Sequence, residues 1–238
     1  MEELLFGGIR MHYHESQFRL STDSVLAADF VRPRADGTVC DLGCGCGAIS
    51  LLLLGSHPGI TVTGIELQPD AAACARQNAL ENGLQNRFHV IAGDLREYRA
   101  LFSPGSFSSV VCNPPYYPVS SGYHAQSPAL AAARTELTCT LNDVCACAAW
   151  LLKTAGSFTL VHKPERLADL ICSLREHALE PKRIRFVRHS SISPVNLVLL
   201  EARKGGRPGL DYEPDLILFS PDGAETAEYQ RIYHRQEA

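Results

Sequence analysis

Short apolar runs alternate with helical stretches along most of the 238-residue chain. The runs typical of buried strands cover residues 38–42, 60–65, 88–91, 108–112, 157–161, 184–187 and 195–202. The helical stretches between them cover residues 48–54, 69–81, 141–152 and 164–177. Strands that alternate with helices in this way predict an α/β fold with a mostly parallel sheet flanked by helices.

About 36 residues precede the first strand. Residues 22–30 predict a short helix, with Thr22 or Asp23 as its N-cap. We expect residues 1–36 to be an extension packed on the core, so that residues 1–238 form one domain. Tyr229 and Tyr233, near the C-terminus, are expected to pack on that core or on a second subunit, so the predicted state is a monomer or a homodimer.

The composition is that of a soluble globular protein, with 45% hydrophobic and 20% charged residues. Because no apolar run approaches the ~20 residues of a membrane span and the N-terminus lacks a basic signal region, we predict a cytoplasmic protein without a membrane partner. Nine cysteines indicate reduced thiols. The pairs Cys44/Cys46 and Cys145/Cys147 have C-x-C spacing, which is not that of a zinc site, and no metal is predicted.

Positive charge is unevenly distributed. The net charge is -4, but residues 153–207 contain 11 Lys and Arg against 5 Asp and Glu, a local charge of +6. Such a region is either a patch that attracts phosphates or a set of solvated charges on ordinary surface elements.

A glycine-rich loop follows the first strand of the core. It begins at Asp41 and contains Gly43, Cys44, Gly45 and Gly47. At a strand-to-helix junction, glycines let the backbone approach a ligand closely. The loop alone also matches a dinucleotide-binding pattern or a tight turn without a ligand.

Acids after the next two strands narrow the choice of cofactor. Glu66, followed by Leu67, is placed to accept hydrogen bonds from the ribose hydroxyls of an adenosine. Asp94, followed by Leu95, could accept from the adenine amino group or cap a helix. Asp41 could orient the loop or pair with the positive amino group of a methionine moiety, whereas its carboxylate would repel a pyrophosphate beside it. These acids favour S-adenosylmethionine over a dinucleotide, with Thr22 and Asp23 as further candidates at the methionine end of the pocket.

The fourth strand ends in a sequence suited to methylating a planar amine. The carbonyl groups of Asn113 and Pro114 can accept both hydrogens of an exocyclic amine and free its lone pair. Pro115 stiffens the loop, and Tyr116 offers a stacking face for a base. The alternative interpretation is a proline turn with a core tyrosine.

Together, Asp41 to Gly47, Glu66, Asp94 and Asn113 to Tyr116 resemble the amino-methylating class I methyltransferases, which implies a seven-stranded sheet whose last strand is antiparallel. In residues 18–26, 133–136, 179–185 and 201–206 the chain is similar to the bacterial tRNA adenine-N6 methyltransferases that modify adenine 37 of a valine tRNA. That family usually has histidine where this chain has Thr135. The resemblance implies a tRNA partner, and the phosphate-contact candidates are Arg134, Lys163, Arg183, Arg185 and Lys204.

Three alternatives stay open. The Asn-Pro-Pro-Tyr sequence also occurs in enzymes that methylate a glutamine side chain of release factors. Those enzymes usually carry a separate helical N-terminal domain, for which about 36 residues leave no room. A cofactor-binding RNA scaffold and a nicotinamide dehydrogenase are the other two.

Overall fold

A computed structural model of the protein describes residues 2–4, 8–13, 20–114 and 139–233. Three of the predicted site residues, Pro115, Tyr116 and Arg134, lie outside these ranges, as do Thr135 and residues 133–136 as a whole. The predictions made for them stay predictions.

An eight-stranded sheet forms the centre of the described structure. Its strands are β3 (Thr38–Leu42), β4 (Thr61–Glu66), β5 (Phe88–Ala92), β6 (Phe107–Cys112), β7 (Leu152–His162), β8 (Leu179–Arg188), β9 (Val195–Lys204) and β10 (Asp211–Ile217). Their spatial order is β10-β8-β9-β7-β6-β3-β4-β5. A separate antiparallel pair, β1 (Glu2–Leu4) and β2 (Arg10–His12), precedes them.

The predicted fold class is confirmed, but the predicted strand count is wrong. Strand β9 runs antiparallel to both β7 and β8, as the resemblance implied, and β10 adds an eighth strand parallel to β8. The sequence pattern does not predict β10, because Pro214 and three acids interrupt its apolar positions and all but one of its residues are at least partly exposed. Edge strands tolerate such residues, since one side makes no sheet contacts.

Seven α-helices are described, and most of their bounds agree with the apolar pattern. They are α1 (Thr22–Phe30), α2 (Ala48–Ser56), α3 (Pro69–Glu81), α4 (Tyr98–Leu101), α5 (Leu141–Leu151), α6 (Leu167–Glu176) and α7 (Ala227–Ile232). The cap of α1 was predicted one or two residues too late: Ser21 accepts the backbone N–H of Ser24 at 3.2 Å, so Thr22 and Asp23 belong to the first turn.

Two apolar cores cover the two faces of the sheet. Helices α1, α2 and α3 pack on one face and α4, α5 and α6 on the other. Strand β2 is held against α3, where the Asn78 and Asn82 side chains bond the backbone of His12 and Arg10. Strands β3 to β7 run parallel, so they all end at one edge of the sheet, and this edge carries the predicted site.

In the described ranges no helix combines the length and apolar character that a membrane span requires. All nine cysteines are free thiols. The described residues also include no group of three or more His, Cys, Asp or Glu side chains placed to hold a metal ion.

Candidate functional site

The glycine loop joins β3 to α2 in a conformation that only glycine adopts without strain. Gly43, Gly45 and Gly47 have φ angles of 70°, 56° and 92°. Gly47 is also tightly packed, since a Cβ atom there would lie 2.7 Å from the Phe88 ring. The loop is fixed to β4 because the backbone N–H groups of Gly43 and Cys44 both donate to the carbonyl of Ile65, at 2.9 and 3.1 Å.

Glu66 is the last residue of β4, and its side chain holds the glycine loop in place by a hydrogen bond. One carboxylate oxygen accepts the N–H of Gly45 and the other accepts the N–H of Gln68, both at 2.9 Å. The residue is only 7% exposed. A carboxylate has about four acceptor positions, so each oxygen retains capacity for one more donor. Glu66 is therefore oriented by the backbone while it can still accept hydroxyl groups.

Asp41 is buried at 1% exposure and accepts the Ser50 hydroxyl at 2.7 Å. Burial raises the pKa of this carboxyl to about 7, against the partial lowering by the Ser50 hydrogen bond. Of the two predicted roles, this position favours the first: Asp41 ties the end of β3 to α2 and so orients the glycine loop.

The loop and Glu66 fit an adenosine-containing cofactor. A Cβ atom placed at Gly43 or at Gly45 would meet no atom within 4 Å, so the backbone there faces open space. The loop provides a surface that a ligand can approach closely, and Glu66 provides an acceptor for vicinal hydroxyls beside it. Gly64, two residues before Glu66 on β4, makes room for the loop, because a Cβ atom there would lie 2.5 Å from the Cys44 sulfur.

Asp94 follows β5, next to the end of β4. Its carboxylate accepts the N–H of Arg96 at 2.9 Å and pairs with the Arg96 side chain, which lowers the pKa of Asp94. The capping role is thus confirmed, and contact with an adenine amino group stays a prediction. Leu95 begins the short 3-10 turn that Asp94 caps, and Leu67 is 42% exposed beside Glu66.

Asn113 lies one residue beyond the paired positions Leu42 and Cys112, so β6 delivers it beside the glycine loop at an inter-strand distance of roughly 5 Å. Its side-chain nitrogen donates to the Ser24 hydroxyl of α1 at 3.1 Å. This hydrogen bond fixes the plane of the side-chain amide, so that the carbonyl oxygen of Asn113 points away from Ser24. Pro114 follows directly and is buried.

The first turn of α1 also meets the C-terminal part of the chain. The Tyr233 hydroxyl lies 3.3 Å from the Thr22 hydroxyl, and the Tyr229 and Tyr233 rings pack edge to face. Tyr229 is 6% exposed, so both tyrosines pack on the core. Thr22 and Asp23 lie within two residues of Ser24, and their contact with a cofactor stays a prediction.

Two of the predicted phosphate contacts are engaged within the protein. Arg183 is 6% exposed, donates to the carbonyl of Phe30 and pairs with Glu201 at 3.5 Å. Burial between β8, β9 and α1 removes it from RNA, and the prediction for it is wrong. The Arg185 side chain, 12% exposed, bonds Glu228 at 2.8 Å and the Pro214 carbonyl at 2.9 Å, which does not favour a phosphate contact.

The other two described candidates lie at opposite edges of the sheet. Lys163 follows the end of β7 at the edge that carries Asn113, and its amine lies 3.4 Å from the Asn196 carbonyl. Lys204 ends the antiparallel β9 and donates to the Leu152 carbonyl at 2.8 Å, at the edge where β7 begins. The predicted set therefore does not form one surface.

Sequence analysis missed Ser24, Ser50 and Gly64. The two serines read as ordinary helix residues, because a pattern along the chain does not show which side chain faces Asn113 or Asp41. Gly64 could have been noticed as a glycine inside a strand, which signals a close approach by a neighbouring group.

Comparison with known proteins agrees with this geometry. Residues 16–171 match the family model described as the methyltransferase small domain. A relative from Porphyromonas gingivalis named tRNA1(Val) (adenine(37)-N6)-methyltransferase is 30% identical over 223 residues, covering 90% of this chain and 86% of its own length.

Two solved structures show the same fold at low sequence identity. A protein from Agrobacterium tumefaciens described as a predicted O-methyltransferase superposes with a TM-score of 0.72 at 21% identity, over 90% of this chain and 96% of its own. Geranyl diphosphate C-methyltransferase from Streptomyces coelicolor, solved with S-adenosyl-L-homocysteine, has a TM-score of 0.54 at 15% identity, over 76% and 78%. The chain belongs to the family of tRNA1(Val) (adenine(37)-N6)-methyltransferases, which are S-adenosylmethionine-dependent enzymes built on the methyltransferase small domain.

Proposed function

We propose that this enzyme methylates N6 of an adenine in tRNA, at position 37 of a valine tRNA. The observation that carries the proposal is the place of Asn113: it follows β6 beside the glycine loop, with its amide plane fixed by Ser24. An acceptor group held next to the cofactor site is what a poorly nucleophilic amine requires. The adenine, and the tRNA, follow from the end-to-end similarity to the Porphyromonas relative.

The cofactor would be held by the loop residues Gly43, Cys44, Gly45 and Gly47, and by Glu66. When bound, S-adenosylmethionine supplies an electrophilic methyl group on a positively charged sulfur. Glu66 accepts the ribose hydroxyls while its backbone hydrogen bonds keep both oxygens in place. Asp41 orients the loop through Ser50 and does not need to contact the ligand.

Asn113 and Pro114 prepare the amine. The Asn113 side-chain oxygen and the Pro114 carbonyl accept its two hydrogens, which turns the nitrogen lone pair out of conjugation with the ring. The freed lone pair could then accept the methyl group that bound S-adenosylmethionine would supply, with the neutral thioether as leaving group, and the extra proton on nitrogen would pass to water. Tyr116 supplies the stacking face in this proposal, and Pro115 the stiffness of the loop.

The proposed setting is the cytoplasm, where tRNA is available and where nine free cysteines fit a reducing compartment. The enzyme requires no metal in this scheme, since the leaving group is a neutral thioether.

Nucleoside mass spectrometry tests the proposal. Unmodified tRNA incubated with enzyme and S-adenosylmethionine should yield N6-methyladenosine, and Asn113→Ala should lower the rate by about 10²–10³, as loss of one oriented group in a transition state does. The exposed Asn86 provides the matched control, Asn86→Ala, with an unchanged rate. If mass spectrometry detected methylation of a release factor and none of tRNA, tRNA would be excluded as the substrate and glutamine methylation would be favoured.

A further inference from the structure

We propose that a groove at the sheet edge opposite Asn113 is a second RNA-binding surface, which holds the backbone of the substrate tRNA away from the methylated base. This inference rests on the proposed function. The groove has a volume of about 460 Å³ and is lined by Tyr98, Arg99, Pro104, Ala146, Ala149, Trp150, His177 and Lys204. Its size is that of a site for a small group such as one or two nucleotides.

The groove lies far from the catalytic edge. Trp150 lies two residues before β7 begins, and the start of β7 pairs with Phe107 at the start of β6. From Phe107 to Asn113 the chain advances six residues, which at ~3.3 Å per residue is about 20 Å. That distance equals roughly six nucleotide steps along one strand of a duplex at ~3.4 Å per step. A segment of about six nucleotides is therefore long enough to span the distance from Asn113 to the groove.

The positive charge of the C-terminal half is concentrated around this groove. Besides Arg34, Arg76 and Arg87, which lie elsewhere in the described ranges, six cations near the groove make no ion pair with a carboxylate: Arg99, Lys153, Lys182, Arg203, Lys204 and Arg207. Five of them lie where β9 ends and β7 and β8 begin, and Arg99 lies across the groove on α4. The acids adjacent in sequence to lining residues are Glu97 and Glu176.

The remaining basic residues of the region behave differently. Arg166, Arg175, Arg183, Arg185 and Arg188 each pair with an acid of the protein. Their charge is compensated within the protein, so Lys153, Lys182, Arg203, Lys204 and Arg207 contribute most of the positive charge that this region presents around the groove. Phosphates are attracted by such uncompensated charge.

The groove also offers flat surfaces in fixed positions. The Arg99 guanidinium carbon lies 5.0 Å from the Tyr98 ring centroid and 5.3 Å from that of Trp150. The Trp150 ring is held by a hydrogen bond from its nitrogen to the Phe102 carbonyl at 3.1 Å. A guanidinium on aromatic rings can stack on a base and contact a phosphate at once. Planar bases and phosphates occur together in RNA, whereas an acidic protein surface would use only the charge.

Removing three exposed cations tests the surface. The combined Arg99→Ala, Lys153→Ala and Arg203→Ala variant should raise the Kd for unmodified tRNA at least tenfold at physiological salt. It should also flatten the slope of log Kd against log salt by about two, since each phosphate contact contributes roughly 0.7–0.9. The kcat at saturating tRNA and the affinity for S-adenosylhomocysteine should match the wild type, because the site at Asn113 is untouched.

A control variant with the same loss of charge is available elsewhere. Arg32, Arg76 and Arg231 are exposed and bond Glu213, the Val90 carbonyl and Asp29. Their combined replacement by alanine should leave the salt slope at the wild-type value. An equal effect of both triple variants would overturn the groove in favour of net charge alone.

The remaining outcomes separate this proposal from the one on which it rests. Wild-type enzyme that forms no N6-methyladenosine refutes the proposed function. Normal methylation with unchanged tRNA binding by the groove variant refutes only the groove. Unchanged binding to purified tRNA, together with loss of an acidic protein partner from the variant, would assign the surface to that protein and likewise overturn the proposal.

Discussion

Replacement of Glu66 by glutamine tests the cofactor site most directly. The wild-type carboxylate accepts two backbone N–H groups, from Gly45 and Gln68, each at 2.9 Å, in a position only 7% exposed. Glutamine retains one acceptor oxygen and presents its NH₂ group to the other N–H, which leaves a nearly buried donor without an acceptor. It also removes the charge that strengthens hydrogen bonds from ribose hydroxyls.

The magnitude follows from these contacts. A hydrogen bond to a charged group contributes about 1.5–3 kcal/mol, and an unsatisfied buried donor costs about 1–3 kcal/mol. Part of this loss lowers the stability of the protein without ligand, and part weakens the binding of the ligand. We expect Glu66→Gln to lower the free energy of unfolding by ~1–2 kcal/mol and to raise the Kd for S-adenosylhomocysteine by ~10–100-fold, which is roughly 1.4–2.8 kcal/mol.

Isothermal titration with S-adenosylhomocysteine and urea unfolding measure the two quantities separately. Glu97→Gln, at an exposed position, is the matched control and should change neither. Glu66→Asp keeps the charge but is one methylene shorter, so it should recover part of the affinity. A Glu66→Gln protein that binds S-adenosylhomocysteine within twofold of the wild type would refute the assigned contact with ribose.

Three further perturbations address the same site. Gly47→Ala should lower the free energy of unfolding by ~2–4 kcal/mol in urea, because alanine at a φ of 92° is strained and its Cβ would lie 2.7 Å from Phe88; an unchanged midpoint would contradict the packing. Ser24→Ala should reduce kcat about fivefold without changing the cofactor KM, since it removes one neutral hydrogen bond of ~1 kcal/mol that orients Asn113, and full activity would show that the amide is held otherwise. Burial raises the pKa of Asp41 in the folded protein to about 7, so its stabilising contribution is present below the ordinary pKa of 3.8 and is lost as the pH rises to about 7. The unfolding free energy of Asp41→Asn minus that of the wild type should therefore increase between pH 4 and 7 and stay level above pH 8, and a flat difference would argue against the buried acid.

The inner strands of the sheet and the helices beside them could be predicted from the sequence, because each has a recognisable pattern of apolar residues and turn residues. Helix α3 was predicted at its observed bounds, since Pro69 suits the first turn of a helix and Asn82-Gly83 ends it. Strand β10 was missed because it gains its place by pairing with β8, and its own residues are mostly exposed. The pattern along the chain reveals buried positions and turns. An edge strand such as β10 has too few of these signals to be recognised.

The same distinction separates the residues of the site. The glycines of the loop, Glu66 and Asn113 could be selected from the sequence because strand ends and glycine clusters have a chemistry that depends on near neighbours in the chain. Ser24 could not, since it meets Asn113 across 89 residues. Arg183 was assigned to RNA because its charge suggested a surface position, whereas Glu201 and Glu213 compensate that charge in the interior.

The sequence alone therefore determined the fold class and the places of the glycine loop, Glu66 and Asn113 at strand ends, because each is encoded by spacing within one strand and the turn after it. Only the tertiary structure decided which charges are available to a partner. Five arginines of the basic segment are compensated by acids of the protein, three of them more than 15 residues away in the chain. Lys153, Lys182, Arg203 and Lys204 make no such pair and lie at one edge of the sheet, where β9 ends and β7 and β8 begin. Electrostatic interaction depends on distance in space, and chain folding sets that distance.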